Sequence, residues 1–434
     1  MGHKIAVLGG GSVYAAGIVR TLVDNAERMA GSNLVLEDVR PEGQQTILAL
    51  GRNLIRARRA DLKISATLDL DEALDGADFV ITCFRIGGRE ALNLDVSIPA
   101  RHDIYGDETS GPGGIFFALR TVPVVVDIAR RMERLCPHAF LINYANPTGF
   151  VTDAVRRTSS IEELSLCSGF LGVAQLVQQF LGYPAKDVVG ITAGINHFTW
   201  LLHAYVNGKD VAADLTRKIS ETDHSASGWS WQRSVDIGRA YGITAIPGGH
   251  MVDYFFRRET VAHEKAEGHW GLMRPGEPHG RVWKHYEELA KAEDPQFDMS
   301  IPGIHHYIGS VSDLAVDVVV SIATDARKVV AVNLPNIGQI ANLPHGEIVE
   351  GPALIGAFGA LPIAVGNLPD ALLPLTEILS RSRKLAVDAA LSGDKQTLLY
   401  ALMSDPLVDS LPKAQQVMEE MLEAEAKWLP QFAR

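Results

Sequence analysis

A strand, a glycine turn and a helix open this chain, and this order constrains its fold more than any other feature. Residues 4–8 are a short apolar run typical of a buried strand, three glycines follow at 9–11, and helical periodicity extends from Ser12 to about Met29. The alternation continues with predicted strands at 34–36, 63–66, 79–83 and 139–142 and predicted helices at 46–59, 70–74 and 112–135. Because strands that alternate with helices form a parallel sheet covered on both faces, the N-terminal part is predicted to be a Rossmann-type α/β domain.

The glycine turn has the chemistry of a dinucleotide site. Its pattern is G-x-G-x-x-Y, and such a turn lets backbone N–H groups approach a pyrophosphate at a helix N-terminus. The second strand ends at Asp38, 29 residues after Gly9, and a carboxylate there would bind ribose hydroxyls and repel the additional phosphate of NADP. NAD is therefore the predicted cofactor, held by Gly9, Gly11, Ser12, Val13, Tyr14 and Asp38. The alternative is a glycine-rich turn beside a solvated acid.

Composition excludes several classes of protein. The 434 residues are 47% hydrophobic and 21% charged, which is ordinary globular usage, and the net charge of −12 argues against a nucleic-acid-binding protein. Cys83, Cys136 and Cys167 are odd in number and widely spaced, so a reducing compartment is expected rather than a disulfide framework. With no secretory signal and no run of ~18 apolar residues, we expect a soluble cytoplasmic enzyme that binds no membrane.

The pattern changes at about residue 190. Trp and His become denser between 197 and 306, and strand-like alternation occurs at 314–322 and 329–332. The tail is predicted to be largely helical, with one helix at 414–427. We therefore predict an NAD-binding domain at 1–190 and an α+β catalytic domain with a helical tail at 191–434.

Several longer motifs carry a resemblance to a known family. They stand in the order F-R-I-G-G (84–88), G-D-E-T-S-G-P-G-G-I-F-F-A-L-R (106–120), N-Y-A-N-P-T-G (143–149), Cys167, G-I-N-H-F-T-W (194–200), G-H-M-V-D-Y (249–254) and N-L-P-N-I-G (333–338). Together with the strand at residue 4, this series resembles the NAD-dependent glycoside hydrolases of family 4. That family is an exception to hydrolysis by two carboxylates.

The resemblance implies a fold and a reaction. The fold is a Rossmann domain with a catalytic domain related to lactate and malate dehydrogenases, assembled as a homodimer or homotetramer. The reaction cleaves a small α-glycoside without net redox change: a hydride leaves C3 for NAD, a base removes the C2 proton, the glycosidic oxygen is eliminated, water adds and the hydride returns. A divalent metal, expected to be Mn(II), would polarise the C2 and C3 oxygens.

The resemblance also assigns residues. Cys167 and His197 fall at the metal positions, with His197 also beside the substrate, and Tyr254 falls at the proton-abstracting tyrosine, with Asp253 as the competing base. By themselves, Cys167 and His197 would be a buried thiol and a core histidine. Arg85, Glu108 and Asn143 are assigned to the cofactor, and Asn146 is assigned to substrate hydroxyls at the end of a strand.

Departures from the family pattern bear on the substrate. Ser168, a candidate catalytic residue, stands where His, Asp or Asn usually follows the metal cysteine, and Asp107 replaces a glutamine. An expected arginine is absent, although Arg89, a candidate substrate ligand, lies close by. These changes suggest an outlying subgroup. Trp231 and Arg233 would suit a sugar with an anionic C6 group, as carboxylate, sulfonate or phosphate, or they belong to a helix with packed indoles.

The predicted substrate is therefore a sulfoquinovoside or a galacturonide. NAD-dependent sulfoquinovosidases form a sister group of family 4 and would need such an anionic pocket. The alternatives are a neutral α-glucosidase or α-galactosidase of the same mechanism, a net NAD-dependent 2-hydroxy acid dehydrogenase, and a non-catalytic nucleotide-sensing module.

Overall fold

The computed structural model describes residues 2–272, 277–309 and 311–433. The strands are β1 (Lys4–Leu8), β2 (Ser32–Glu37), β3 (Leu62–Thr67), β4 (Phe79–Thr82), β5 (Phe140–Asn143), β6 (Glu162–Leu166), β7 (Val188–Ile195), β8 (Phe198–Val206), β9 (Lys209–Asp210), β10 (Ala245–Ile246), β11 (Lys328–Pro335), β12 (Ile348–Gly356) and β13 (Gly359–Pro362).

The helices are α1 (Ala15–Asp24), α2 (Pro41–Arg58), α3 (Leu70–Leu74), α4 (Gly88–Arg101), α5 (Gly111–Leu135), α6 (Thr148–Thr158), α7 (Gly172–Leu181), α8 (Ala212–Glu221), α9 (Trp229–Tyr241), α10 (Gly248–Phe255), α11 (Arg257–Ala266), α12 (Glu277–Leu289), α13 (Val311–Thr324), α14 (Leu373–Ser392), α15 (Lys395–Ser404) and α16 (Leu411–Ala424). Short 3₁₀ helices lie at Gly169–Leu171, Ala185–Asp187, Ile304–His306, Asp370–Leu372, Ala426–Trp428 and Pro430–Phe432.

All these strands belong to one twisted sheet. Its N-terminal half runs β3-β2-β1-β4-β5-β6 with every neighbouring pair parallel, which is the doubly wound Rossmann order. At β6 the direction changes, because β11 pairs with it antiparallel through Val332–Leu166 and Asn333–Ser165. Strands β12, β7, β8 and β10 extend the sheet antiparallel from there. The predicted parallel sheet is confirmed.

One predicted strand is wrong. Residues 314–322 lie inside helix α13, which is buried along most of its length. The β-branched run mimics a strand, but Asp313, Asp317 and Ser321 recur every four residues, and Ser321 Oγ donates to the Asp317 carbonyl at 2.6 Å. This is the spacing of a helix that is buried on nearly all sides.

Three helices have boundaries that differ from the prediction, and the one predicted at 46–59 begins at Pro41. Helix α1 begins at Ala15 rather than Ser12, because the glycine turn continues through Tyr14, and it ends at Asp24 rather than Met29. The helix predicted at 414–427 spans Leu411–Ala424 and is followed by a short 3₁₀ helix. Helices commonly fray or tighten at their ends, so such boundaries are weakly encoded locally.

The two halves of the chain share their hydrophobic cores. Helix α13 packs against α1, and α12, β11 and β12 complete the core on that face of the N-terminal sheet. On the other side, helices α14, α15 and α16 pack against α4, α5 and α6. The division at residue 190 stays a prediction, since segments from both sides of it build each of these cores.

Helix α5 occupies the centre of the second core. By length and composition alone it could cross a membrane, but 83% of its most apolar 18-residue window is buried inside the protein. Internal burial of this kind is typical of the core helix of a globular protein, and among the described residues α5 is the one helix that passes the length and composition test.

Candidate active site

The carboxyl ends of four parallel strands meet at one edge of the sheet and bring the motifs together. The glycine turn follows β1, Arg85 follows β4, Asn143 closes β5 and Cys167 follows β6. Ligands bind α/β sheets outside this edge. The order of the strands therefore explains how motifs far apart in sequence share one site.

The glycine turn packs closely against the backbone of neighbouring segments. Gly9 has a φ of 89°, and a Cβ there would come 2.9 Å from the backbone of Cys83. A Cβ on Gly11 would lie 2.7 Å from the backbone nitrogen of Gln44, at the start of α2. These clearances leave room only for glycine, and they form the kind of backbone cradle that admits a pyrophosphate.

The Asp38 carboxylate accepts hydrogen bonds from the backbone of this turn and of the segment after β2. Its Oδ2 accepts the Gly11 N–H at 2.9 Å, and its Oδ1 accepts the Arg40 N–H at 3.1 Å. The neighbouring Glu37 is buried, and burial together with the Asp38 charge raises the pKa of Glu37 to about 7. Asp38 therefore stands beside the turn where a ribose ligand was predicted, with both carboxylate oxygens already ordered.

The other predicted cofactor residues of the turn line it. Ser12 and Tyr14 are half-buried and Val13 is buried. The Tyr14 ring packs edge-on against Tyr144 at 5.8 Å and against Tyr307 at 5.0 Å between ring centroids, and burial raises its pKa. Tyr14 therefore forms an aromatic wall where other dinucleotide sites have a third glycine.

Arg85 and Glu108 form an ion pair that joins the segment after β4 to the turn before α5. The Arg85 guanidinium lies 4.5 Å over the Phe117 ring, and burial lowers the pKa of Arg85. Its Nη1 is buried and has no hydrogen-bond partner among the described residues. A buried donor without a partner is one that a bound ligand can satisfy.

The two predicted asparagines differ in their surroundings. Asn143 is fully buried, accepts the Thr82 hydroxyl at 2.5 Å and donates to Ser165 Oγ at 2.8 Å, so it ties β4, β5 and β6 together. Asn146 is half-buried at the strand ends, just before Pro147. The structure thus gives Asn143 protein partners for both ends of its amide, and it leaves Asn146 nearer to where a ligand would bind.

Cys167 and His197 lie at the same edge. The Cys167 side chain is buried, its Sγ accepts the Gly169 N–H at 3.5 Å, and it lies near Asn196, which precedes His197. Burial, followed by the nearby Glu350 charge, raises the pKa of the Cys167 thiol. The His197 backbone has a φ of 58°, its ring stacks on His250 at 4.3 Å, and burial lowers its pKa.

This donor set fits a divalent metal. His197 Nδ1 is buried without a hydrogen-bond partner among the described residues, and a neutral imidazole nitrogen is a metal ligand. The Cys167 thiol would be deprotonated on coordination. Within the described ranges, no group of three or more His, Cys, Asp or Glu side chains is arranged for a metal, so oxygens from outside the protein would complete the coordination.

A buried carboxylate that sequence reasoning missed lies beneath these residues. Glu350 on β12 is 0% exposed, and its Oε2 accepts from Asn196 Nδ2 at 2.8 Å and from Asn333 Nδ2 at 3.2 Å. Burial raises the pKa of Glu350. Asn333 stands in one of the motifs quoted above, whereas no local pattern singles out Glu350.

Tyr254 lies on α10 with only 5% of its surface exposed. Its hydroxyl lies near Ser110, at the start of α5, and near the charged Arg383 of α14. Burial, followed by the Asp405 charge, raises the pKa of Tyr254, and the Arg383 charge opposes this shift. Asp253, the competing base, is also buried. Arg383 and Asp405 were not predicted, because they come from the tail, which carries no motif.

The remaining predicted residues have different environments. Trp231 Nε1 donates to His224 Nδ1 at 3.0 Å, and its ring stacks on Phe180, which is the packed indole of the alternative hypothesis. Arg233 pairs with Asp236 at 3.0 Å.

Two more predicted residues are accessible. Ser168 is exposed at the start of the 3₁₀ helix after Cys167, and Arg89 is exposed in the first turn of α4. Both therefore remain reachable by a substrate, unlike the buried Asn143.

Comparison with known proteins decides the family. Residues 4–183 match the family 4 glycosyl hydrolases, and residues 192–408 match the C-terminal domain of the same family. The chain belongs to glycosyl hydrolase family 4. The resemblance carried by the motifs is thereby confirmed, and so is the prediction of a glycosidase.

Individual relatives add detail to this family 4 assignment. The chain is 34% identical to the probable 6-phospho-beta-glucosidase of Bacillus subtilis strain 168, over 99% of this chain and 98% of that one. A solved 6-phospho-beta glucosidase from Thermotoga maritima, with manganese, NAD+ and glucose-6-phosphate, has a TM-score of 0.83 at 23% identity and covers 98% of both chains. The manganese and NAD+ of that structure are the cofactors predicted here from the sequence.

The structural likeness extends to dehydrogenases. Malate dehydrogenase from Plasmodium falciparum has a TM-score of 0.56 at 14% identity, over 90% of this chain and 99% of that one. This confirms the predicted relation of the fold to the lactate and malate dehydrogenases. The predicted outlying subgroup, with sulfoquinovosides or galacturonides as substrates, finds no support, because the relative at 34% identity, matched over 98% of its length, is described as a probable 6-phospho-beta-glucosidase.

Proposed function

We propose that this family 4 enzyme hydrolyses 6-phospho-glucosides with NAD and a divalent metal. One observation carries the proposal: the glycine turn, the Arg85–Glu108 pair, the partnerless His197 Nδ1 and the Tyr254 hydroxyl all lie in segments that meet around one edge of the sheet. The relative from Bacillus subtilis and the solved structure from Thermotoga maritima, both described as 6-phospho-beta-glucosidases, support the choice of sugar.

Two groups from outside the chain would complete the site. Bound NAD supplies removal and return of a hydride at C3 of the sugar, and it would be held by the 9–11 turn, Asp38 and the Arg85–Glu108 pair. Bound Mn(II) supplies Lewis-acid polarisation of the C2 and C3 oxygens, and it would be held by Cys167 and His197.

The protein's own residues carry the proton chemistry. Tyr254 would receive the C2 proton on its phenol oxygen, and its burial keeps bulk water from that atom. Ser110 and the Arg383 charge oppose the rise in the pKa of Tyr254 that burial causes. Ser168, exposed beside Cys167, is the group proposed to lie near the glycosidic oxygen. Asp253 remains the competing base.

We assign the C6 phosphate to Arg89. This exposed arginine lies close enough to His279 and Tyr307 to act on them: burial and then the Arg89 charge lower the pKa of His279. Tyr307 in turn packs on Tyr14 of the glycine turn, so Arg89 stands at the mouth of the cofactor site. Arg233 is a weaker choice for this role, because Asp236 already neutralises it.

A substrate panel tests the proposal. Dialysed protein would be given NAD and Mn(II) with the aryl α- and β-glycosides of 6-phosphoglucose, glucose, galactose, galacturonic acid and sulfoquinovose. We expect release from a 6-phosphoglucoside that stops on chelation, recovers with Mn(II), and places solvent deuterium at C2 of the product. Turnover restricted to a sulfoquinovoside or galacturonide would overturn the choice of sugar, and accumulation of NADH with a hydroxy acid would overturn the reaction.

Two arginine variants test the phosphate assignment. Arg89→Met should raise the KM of the phosphorylated substrate by at least ~10-fold, since it removes a charge-assisted hydrogen bond, and should barely change the turnover of a non-phosphorylated analogue. Arg233→Met is the matched control and should leave the KM unchanged. The opposite pattern would move the phosphate to the Trp231–Arg233 segment.

A further inference from the structure

Glu350 lies in the sheet between the strands that lead to the two residues proposed to hold the metal. In the register of the sheet, it stands opposite Asn333 of β11 on one side and opposite Gly194 of β7 on the other. Strand β11 pairs in turn with β6, which leads to Cys167, and β7 leads to His197. The buried Glu350 side chain is therefore placed to contact both segments.

The first contact runs through Asn196. Asn196 and His197 are the two residues that join β7 to β8, and His197 has a φ of 58°, a conformation that is costly for a residue other than glycine. Asn196 Nδ2 donates to Glu350 Oε2 at 2.8 Å, across 154 positions of the chain. This hydrogen bond anchors the connection to β12, so it holds the backbone that carries the His197 imidazole.

The second contact runs through Asn333. Its Nδ2 donates to the same Glu350 oxygen at 3.2 Å, and it also donates to the Ser165 carbonyl oxygen at 3.4 Å. Ser165 and Leu166 are the last residues of β6, directly before Cys167. One carboxylate oxygen therefore accepts hydrogen bonds from side chains beside both proposed ligands, and it fixes how the two segments stand relative to each other.

The other oxygen of Glu350 argues against a purely stabilising role. Glu350 Oε1 is buried and has no hydrogen-bond partner among the residues that the structure describes, and the same holds for Asn333 Oδ1. A buried carboxyl that is only partly paired disfavours folding, whereas an apolar side chain of similar size would fill the same space. The carboxyl at this position is therefore better explained by what its paired oxygen positions.

We propose that Glu350 is a positioning residue that fixes the separation and orientation of Cys167 and His197 for binding a divalent metal. Groups outside the coordination sphere that orient metal ligands contribute strongly to affinity, and loss of one commonly weakens metal binding by about 10–100-fold. Glu350 acts through Asn196 and Asn333 rather than on the ligating atoms. The inference rests on the proposed function, in which Cys167 and His197 hold the metal.

The test compares Mn(II) binding by Glu350→Met, Glu350→Gln and the matched control Glu347→Met. The electron paramagnetic resonance of free Mn(II) is followed while the metal is titrated into protein saturated with NAD. Glu350→Met removes the shared acceptor and should raise the Kd for Mn(II) by about 10–100-fold. Glu350→Gln keeps one acceptor oxygen and should recover most of this loss. Glu347, just before β12, accepts the Ser380 hydroxyl, and its variant should bind Mn(II) as the wild type does.

Two further measurements separate positioning from a general loss of structure. The Kd for NAD should be unchanged in all three variants, because the glycine turn follows β1, which is separated from β6 by β4 and β5. In protein loaded with Co(II), the thiolate-to-metal absorption that reports coordination by Cys167 should weaken in Glu350→Met and return in Glu350→Gln.

Several outcomes would overturn the inference. These are wild-type affinity for Mn(II) in Glu350→Met, an equal loss in Glu350→Gln, a parallel loss of NAD binding, or no Mn(II) binding by the wild type. If circular dichroism shows that Glu350→Met does not fold, Asn333→Leu removes the contact with β6 alone and should also raise the Kd for Mn(II). A wild-type enzyme that binds Mn(II) but cleaves no 6-phosphoglucoside would overturn the proposed function instead.

Discussion

At the scale of single residues, the polar groups beneath the strand ends form a chain of hydrogen bonds. Thr82 donates to Asn143, Asn143 donates to Ser165, and Ser165 donates to Glu163 at 2.6 Å. Glu163 is 3% exposed, and burial raises its pKa to about 7. This network holds the ends of β4, β5 and β6 in register below the site, and Glu163 is the member whose charge depends on pH.

Glu163 should make the stability of the protein depend on pH. In the folded protein Glu163 keeps its proton up to about pH 7, whereas an ordinary glutamate loses its proton near pH 4.5. The contribution of Glu163 to the free energy of unfolding is therefore complete below pH 4.5 and is lost as the pH rises through 7. Glu163→Gln mimics the protonated form. Its free energy of unfolding, compared with that of the wild type, should therefore rise by on the order of 2 kcal/mol between pH 5 and pH 8. Urea unfolding at the two pH values measures this difference.

The neighbouring Glu162 supplies the control for that comparison. It is exposed and pairs with Arg156 at the surface at 3.0 Å. Glu162→Gln should shift the unfolding midpoint by the same small amount at both pH values. A constant difference between wild type and Glu163→Gln would show that the buried carboxyl does not hold its proton in the folded state.

At the scale of elements, α1 and α13 show why helix contacts cannot be taken from one segment alone. They are separated by almost three hundred residues and cross closely at Gly17, where a Cβ would collide with the Ser312 side chain and the Tyr307 carbonyl oxygen. A glycine inside a helix is costly by itself, and this crossing explains its presence. The crossing also carries the edge-on contact between Tyr14 and Tyr307.

A substitution at this crossing should be costly. Gly17→Ala should destabilise the fold by about 1–3 kcal/mol, because the backbone carbonyl of Tyr307 cannot move away as a flexible side chain could. Gly172→Ala is the matched control, since Gly172 is also helical and has nothing within 4 Å of the added Cβ. It should be neutral or stabilising by up to ~1 kcal/mol. Equal unfolding midpoints for the two variants would refute the close crossing.

At the scale of the whole molecule, a buried ion triad fastens the C-terminal helices to the N-terminal half. Arg120 of α5 binds both oxygens of Asp95 on α4, at 2.9 and 2.6 Å, and also pairs with Glu425, which follows α16. All three side chains are 0% exposed. Burial raises the pKa of both carboxyls, because the single guanidinium cannot fully compensate two charges.

Removing the central cation alone should destabilise the folded protein far more than replacing the whole triad. Arg120→Met leaves two carboxyls buried together and should cost about 3–5 kcal/mol. Combining it with Asp95→Leu and Glu425→Met should recover most of that loss, since apolar side chains can fill the same space. The urea midpoints of the two variants decide this. A triple variant as unstable as Arg120→Met would mean that these ionic contacts are themselves required for docking.

The sequence by itself determined the local chemistry and the family. The β–α alternation, the glycine turn and the ordered motifs predicted the Rossmann half, the NAD site and glycosyl hydrolase family 4, because each depends on residues close together in the chain. Helix α13 was missed since its buried β-branched residues resemble a strand. Oligomeric state, cytoplasmic location and the division at residue 190 stay predictions.

Only the tertiary structure decided which residues support the site. Arg383, Asp405 and Glu350 have no motif and no informative spacing, yet folding places them around Tyr254 and Asn196. It also turned Asn143 and Trp231 toward partners inside the protein. The physical reason is that a hydrogen bond between segments more than a hundred residues apart depends on how helices and strands pack, and this packing leaves no periodic trace in the sequence.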